Sequence, residues 1–291
     1  METALYHPKL GYYTRPGAQP FGSNGDFYTA TQVQPVFGRL IAQLARQHGG
    51  GLFIDWGAGA EALRPFLPDY LAIDAHRGAW PERFTAFVFA NELFDALPVD
   101  VFARRGGAWI ERRVTHNGSR FAWIEEGTPS KEQCEWLERF GPQEDDVIAE
   151  VNLRAPQLLR ELASRMDAGH LLAIDYGVTR RELIRFPEGT LMSYHRHAAS
   201  DDVLDSPGDR DLTAHVHFDA LRSAALAHGF DEVRFESLAS LLLRAGEEDS
   251  FASALDAPEP MNSALRMQLK TLLYGMGETF RAVLWRRREA P

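Results

Sequence analysis

The stretch Phe53-Ile-Asp-Trp-Gly-Ala-Gly-Ala-Glu-Ala-Leu-Arg-Pro-Phe-Leu-Pro68 decides the class of fold. An apolar run ends in an acid, Asp55, and glycines follow at 57 and 59, as in a strand that turns sharply beside a ligand. A third glycine would be expected where Glu61 stands. Such a turn lets the backbone come close to a phosphate or carboxylate, and a helix starting just after it adds its positive end. Taken alone, the two glycines serve equally well as a tight connection. Asp74 raises the ligand reading: it lies about twenty residues on, at the end of the next apolar run, where an acid can hold both hydroxyls of a ribose. The chain shows no phosphate-binding lysine in this turn, which disfavours a nucleoside triphosphate and leaves an NAD or an S-adenosylmethionine pocket.

Outward from this turn, Leu52–Asp55, Tyr70–Asp74, Phe84–Ala90 and His170–Asp175 are short apolar runs, most of them ending in an acid or amide. Runs of this kind are expected of buried parallel strands in an α/β sheet, whose ligands bind at the carboxyl ends. Asp55, Asp74, Asn91-Glu92 and Asp175 would lie there. The pattern of Val36, Leu40, Ile41 and Leu44, stopped by Gly49-Gly50-Gly51, predicts a helix over 35–48 that leads into the first strand. Segments Ala108–Val114 and Arg120–Ile124 flank Asn117-Gly118 and predict a β-hairpin, part of an insertion around 99–146. A helix is expected from Val147 to Met166, started or kinked by Pro156. Residues 178–211, polar and without a period, are expected to form a long functional loop.

The 291 residues suit one large domain, and no apolar run reaches the about eighteen residues of a membrane helix. A formal net charge of −10 opposes general binding to nucleic-acid phosphates. The first ten residues lack the basic start and apolar core of a secretory leader, and Cys134, the only cysteine, can form no internal disulfide. A reducing, cytoplasmic setting is the expectation.

Asn91-Glu-Leu-Phe-Asp-Ala-Leu-Pro98 places an amide and two carboxylates, Glu92 and Asp95, at a strand end. The motif is suited to starting a helix, with Asn91 as cap. Beside a methyl donor, two carboxylates can also hold a guanidinium bidentately and fix which nitrogen faces the methyl group. The pairs His195/His197 and His215/His217 lack partners at metal-ligand spacing, and no metal site is expected. Ser193 and Ser206 lack the context of a nucleophile elbow.

Several segments together resemble the MidA family of methyltransferases, known from a mitochondrial complex I assembly factor. They are Leu5-Tyr-His-Pro-Lys-Leu-Gly-Tyr-Tyr13, Gly25-Asp-Phe-Tyr-Thr-Ala30, Asn91–Pro98, Leu172-Ala-Ile-Asp-Tyr-Gly177, Gly189-Thr-Leu191, Pro207-Gly-Asp-Arg-Asp-Leu-Thr-Ala-His-Val216 and Met276-Gly-Glu-Thr-Phe280, in family order from one end to the other. The resemblance implies a Rossmann-like domain over 51–291 that binds S-adenosylmethionine, with residues 1–50 as a covering segment and lead-in helix, acting on a protein side chain, arginine in the mitochondrial member. By position it implies Asp55, Gly57, Gly59, Asp74, Asn91, Gly25, Asp26 and Phe27 as cofactor contacts, Glu92 and Asp95 as the catalytic motif, and Asp175, Tyr176 and Tyr194 as substrate contacts.

The chain departs from the family at Asp55, where Glu is usual, and at Glu61. Pro65 and Pro68 cut short the helix after the turn. Only the sixteen residues 75–90 separate Asp74 from Asn91, too few for a helix, a strand and another helix, so the usual third strand, at one edge of the sheet, is expected to be missing. Two other functions follow from these departures: a catalytically inactive binding or assembly protein with a degenerate cofactor site, and, from the histidines, a metal hydrolase.

Overall fold

The computed structural model describes residues 1–15, 35–74, 77–195 and 198–289. Contacts divide it into two compact units. Unit 1 holds the described residues of Met1–Phe27, Phe94–Leu158 and Gly177–Ala224; unit 2 holds those of Tyr28–Leu93, Leu159–Tyr176 and Ala225–Pro291.

Unit 2 is built on strands β1 (Phe53–Trp56), β2 (Tyr70–Ile73) and β3 (Phe84–Asn91), most of β8 (Met166–Val178), and β13 (Asp231–Ser237) and β14 (Phe280–Arg287). Their order is β13-β14-β8-β3-β1-β2. The pairs β1–β2, β1–β3 and β3–β8 are parallel, whereas β14 runs antiparallel to β8 and to β13. All four residues of β1 are buried, as a strand covered on both faces requires. The helices Pro35–Gln47, Leu238–Glu247 and Met261–Thr271 send Leu40, Leu241 and Leu265 into one apolar cluster with Phe53, Phe87, Phe89 and Leu172.

Among the described residues the sheet stops at β2, so the expected third strand is absent. Trp80 stands after β2 instead, stacked on Phe84 with centroids 5.7 Å apart and set edge-on to Trp56 at 5.4 Å. The helix after the glycine turn is reduced to one 3-10 turn, Arg64–Phe66, with Pro65 inside it. The four apolar runs became strands, three of them within a residue of their expected ends, while β8 runs from Met166 to Val178, well beyond the expected 170–175 at both ends.

Unit 1 contains a four-stranded sheet, ordered β6-β5-β4-β7, of β4 (Asp100–Arg105), β5 (Ala108–His116), β6 (Phe121–Glu125) and β7 (Ile148–Val151). The expected hairpin is β5–β6. The expected helix from Val147 begins instead as β7, paired with β4, and turns helical only over Arg154–Arg165. Ile148 enters one apolar cluster while Ala149 and Val151 enter another, so the strand is buried on both faces, a case that periodicity cannot tell from a helix. Asn152 Oδ1 accepts the N–H groups of Arg154 and Ala155 at 3.0 and 2.9 Å, which starts the helix with Pro156 in its first turn, where proline forfeits no hydrogen bond. The supposed loop 178–211 is partly ordered into a small antiparallel sheet, β10-β9-β11, of β9 (Met192–His195), β10 (Ala198–Ser200) and β11 (Asp211–Thr213).

Candidate functional site

The glycine turn leaves β1 through Gly57 at φ +81° and Gly59 at φ +49°, left-handed backbone that glycine adopts without strain. A Cβ on Gly57 would come within 3.1 Å of Leu93 Cδ1, so the turn is pressed closely against the residue after Glu92. Gly57 donates its N–H to Ile73 O at 2.8 Å and Gly59 donates to Asp74 Oδ2 at 3.2 Å. Asp74, as expected, therefore stands beside the turn at the end of β2.

Asp55 is only 6% exposed and accepts the phenol of Tyr70 at 2.5 Å. Burial pushes its carboxyl up to about 6; the Tyr70 hydrogen bond and Arg77 oppose that rise, while the charges of Asp74 and Glu61 add to it. Burial and the neighbouring Asp55 carboxylate likewise raise the Tyr70 phenol. Glu61 has φ +55° and its carboxylate is held by two arginines, Arg64 and Arg77, the latter at 3.0 Å. Arg77 also donates to Gly59 O at 2.6 Å and lies 3.8 Å from Asp74. The negative charge that replaces the third glycine is thus neutralised inside the turn. Nothing in the linear pattern marks Arg77 or Tyr70, since sequence spacing does not say which side chains return to a turn.

At the end of β3, Asn91 Nδ2 donates to Glu92 Oε1 at 3.0 Å, while Asn91 Oδ1 is buried with no hydrogen-bond partner among the described residues. An orphaned buried acceptor carries a cost of about 1–3 kcal/mol, which a bound donor would relieve. Glu92 sits at φ +52° and donates its N–H to Ile174 O at 2.9 Å. For a residue with a side chain this backbone is strained, and strain of this kind concentrates at functional positions. Asp175, fully buried in β8, pairs with Arg281 in the β14 ladder; the Tyr176 ring lies on Phe280 with centroids 3.9 Å apart, facing the apolar cluster. The structure thus gathers Asp55, Gly57, Gly59, Asp74, Asn91 and Glu92 around parallel strand ends of unit 2.

Two other expected residues belong to unit 1. Asp95 is 3% exposed and its backbone carbonyl accepts Ala214 N–H at 3.0 Å. Tyr194 lies in β9 opposite Asp211, whose carboxylate accepts the Tyr13 phenol at 2.7 Å. Gly25, Asp26, Phe27 and His197 lie outside the described residues. Glu150, another buried acid of this unit, accepts Thr190 N–H at 2.7 Å and Leu191 N–H at 3.3 Å, and a Cβ on Gly189 would fall 2.3 Å from it. That contact explains the Gly189-Thr-Leu191 motif as a clasp leading into β9. His217 bonds Phe140 O through Nε2 at 3.0 Å, and burial lowers its pKa and that of His215. Among the described residues no group of three or more His, Cys, Asp or Glu could hold a metal ion.

The family described as "Putative S-adenosyl-L-methionine-dependent methyltransferase" matches residues 67–235. A Danio rerio protein named Protein arginine methyltransferase NDUFAF7, mitochondrial, is 31% identical over 294 residues, covering 77% of this chain and 67% of its own length. The Drosophila melanogaster homologue is 25% identical, with 79% of this chain and 66% of its own length covered. The chain therefore spans about two thirds of the length of these relatives. A crystal structure from Burkholderia thailandensis, bound to S-adenosyl-homocysteine, superposes with a TM-score of 0.87 at 27% identity, covering 98% of this chain and 86% of that one.

Proposed function

The chain belongs to this family of S-adenosyl-L-methionine-dependent methyltransferases, and from that membership we propose that it methylates a protein side chain, the guanidinium of arginine. S-adenosylmethionine is the cofactor. The residues around the turn fit it: two glycines in left-handed backbone, an acid at the end of the second strand, a carboxylate neutralised by Arg64 and Arg77, and Asn91 Oδ1, buried and unpartnered among the described residues. The last of these carries the reading, since a buried amide oxygen with no partner among the described residues can accept a donor from a bound molecule.

When bound, S-adenosylmethionine supplies a methyl group already activated on a sulfonium. The chain's task is then to bind and align. Asp74 would accept hydroxyls of the ribose, and Gly57 and Gly59 would let the backbone run close to the donor. Asn91 fixes the Glu92 carboxylate through its amide, and Glu92 would hold the acceptor guanidinium and orient it. Asp95 is the second carboxylate of that motif. The proton released by the methylated nitrogen leaves through a carboxylate or solvent and needs no strong base.

The zebrafish relative's name, at 31% identity, supports arginine as the acceptor. Isothermal titration with S-adenosyl-homocysteine tests the site, and micromolar binding is expected. Absence of heat and of any thermal shift at about millimolar ligand would leave the catalytic reading without its cofactor.

A further inference from the structure

The hairpin strand β6 ends its sheet, and the direction of its backbone groups can be read from its two flanks. Glu126 donates its N–H to Glu111 O at 2.8 Å and Arg120 O accepts Asn117 N–H at 3.1 Å, so 120, 122, 124 and 126 face β5. Phe121, Trp123 and Glu125 consequently direct their N–H and C=O groups away from the sheet, and among the described residues no strand pairs with that edge. The edge is also apolar: Phe121 is 43% exposed, Ile124 38%, and Val114 of the adjoining strand 50%. Exposed edges of this sort template pairing with another chain.

We infer that β6 is a self-association edge that pairs antiparallel with β6 of a second copy of this chain, about a two-fold axis at Trp123. In that register Trp123 meets Trp123 and Phe121 meets Glu125, so the residues with outward backbone groups oppose one another and their ladder closes. Ala122 falls opposite Ile124, and Arg120 opposite Glu126. The charges agree with this register. Glu125 is already held by Arg105 at 2.8 Å and Glu111 by Arg113 at 2.6 Å, whereas Arg120 and Glu126 have no ion pair among the described residues. A two-fold pairing supplies each with a partner from the other copy. Arg112, with its guanidinium 4.9 Å from the centre of the Trp123 ring, fixes that side chain at the axis.

Sedimentation of the full chain tests the inference. A dimer is expected at tens of micromolar, with Arg120→Glu weakening it about tenfold or more and the double exchange Arg120→Glu/Glu126→Arg restoring it, which separates a lost contact from misfolding. Phe121→Pro removes an outward N–H while leaving the bonds to β5, and should also dissociate the dimer. A chain that stays monomeric up to about 100 µM overturns the inference, as does a dimer indifferent to both Arg120→Glu and Phe121→Pro. Loss of the dimer in Arg120→Glu without rescue by the exchange overturns the register.

Discussion

Around the glycine turn, Glu61 lies between Arg64 and Arg77, Asp55 accepts Tyr70, and Asp74 accepts Gly59 N–H. The end of β3 differs: Glu92 is kept in left-handed backbone and Asn91 Oδ1 has no partner among the described residues. In the first region the charged groups are held by bonds within the turn and its flanks. The second keeps a buried acceptor that is unmet among the described residues and open to a bound donor.

The widest gap between the two regions should appear in Glu92→Gln. Methyl transfer from labelled donor into protein is expected to fall by at least about 100-fold while S-adenosylmethionine binds within about threefold of the parent, because the carboxylate acts on the acceptor. Turnover that survives would move the acceptor chemistry away from the end of β3.

Asp55→Asn probes the turn itself. The carboxyl is raised from 3.8 to about 6, so its protonated form favours the fold; that contribution is complete below pH of about 4 and is lost as pH rises through about 6. Urea unfolding should show the parent losing roughly 2–3 kcal/mol relative to Asp55→Asn between these limits. A difference that does not vary with pH would mean that the buried acid stays charged and is fully held by Tyr70.

Asp74→Ala should weaken S-adenosylmethionine by about ten- to a hundredfold in titration, through loss of a charged acceptor for two hydroxyls. Unchanged affinity would put the ribose elsewhere. The smallest effect is expected from Arg77→Ala, since the guanidinium is nearly half exposed and such pairs contribute at most about 1 kcal/mol. Donor binding should weaken a few-fold at low salt through the released charge of Glu61, and Glu61→Gln added to it should recover most of that loss. A double variant no better than Arg77→Ala would show that Glu61 exerts no field on the donor.

Much of unit 2 was legible because its cues are local. Buried parallel strands are short apolar runs, their ends carry the acids, and sixteen residues between Asp74 and Asn91 cannot hold two helices and a strand whatever they pack against. Unit 1 was less legible. Residues 148–151 bury both faces and so carry no period, and the order within 178–211 comes from Glu150, some forty residues upstream, closing on Thr190 and Leu191.

The sequence by itself determined the succession of strands, the absence of the edge strand and the composition of the turn, since these depend on chain length, backbone permissiveness and alternation between neighbours. Only the tertiary structure decided that Glu61 turns to two arginines, that Asp55 leans on Tyr70 and that Asn91 Oδ1 is left without a partner among the described residues. Whether a charge is harmful or an acceptor is satisfied depends on distances of a few ångströms between side chains whose separation along the chain says nothing of their separation in space.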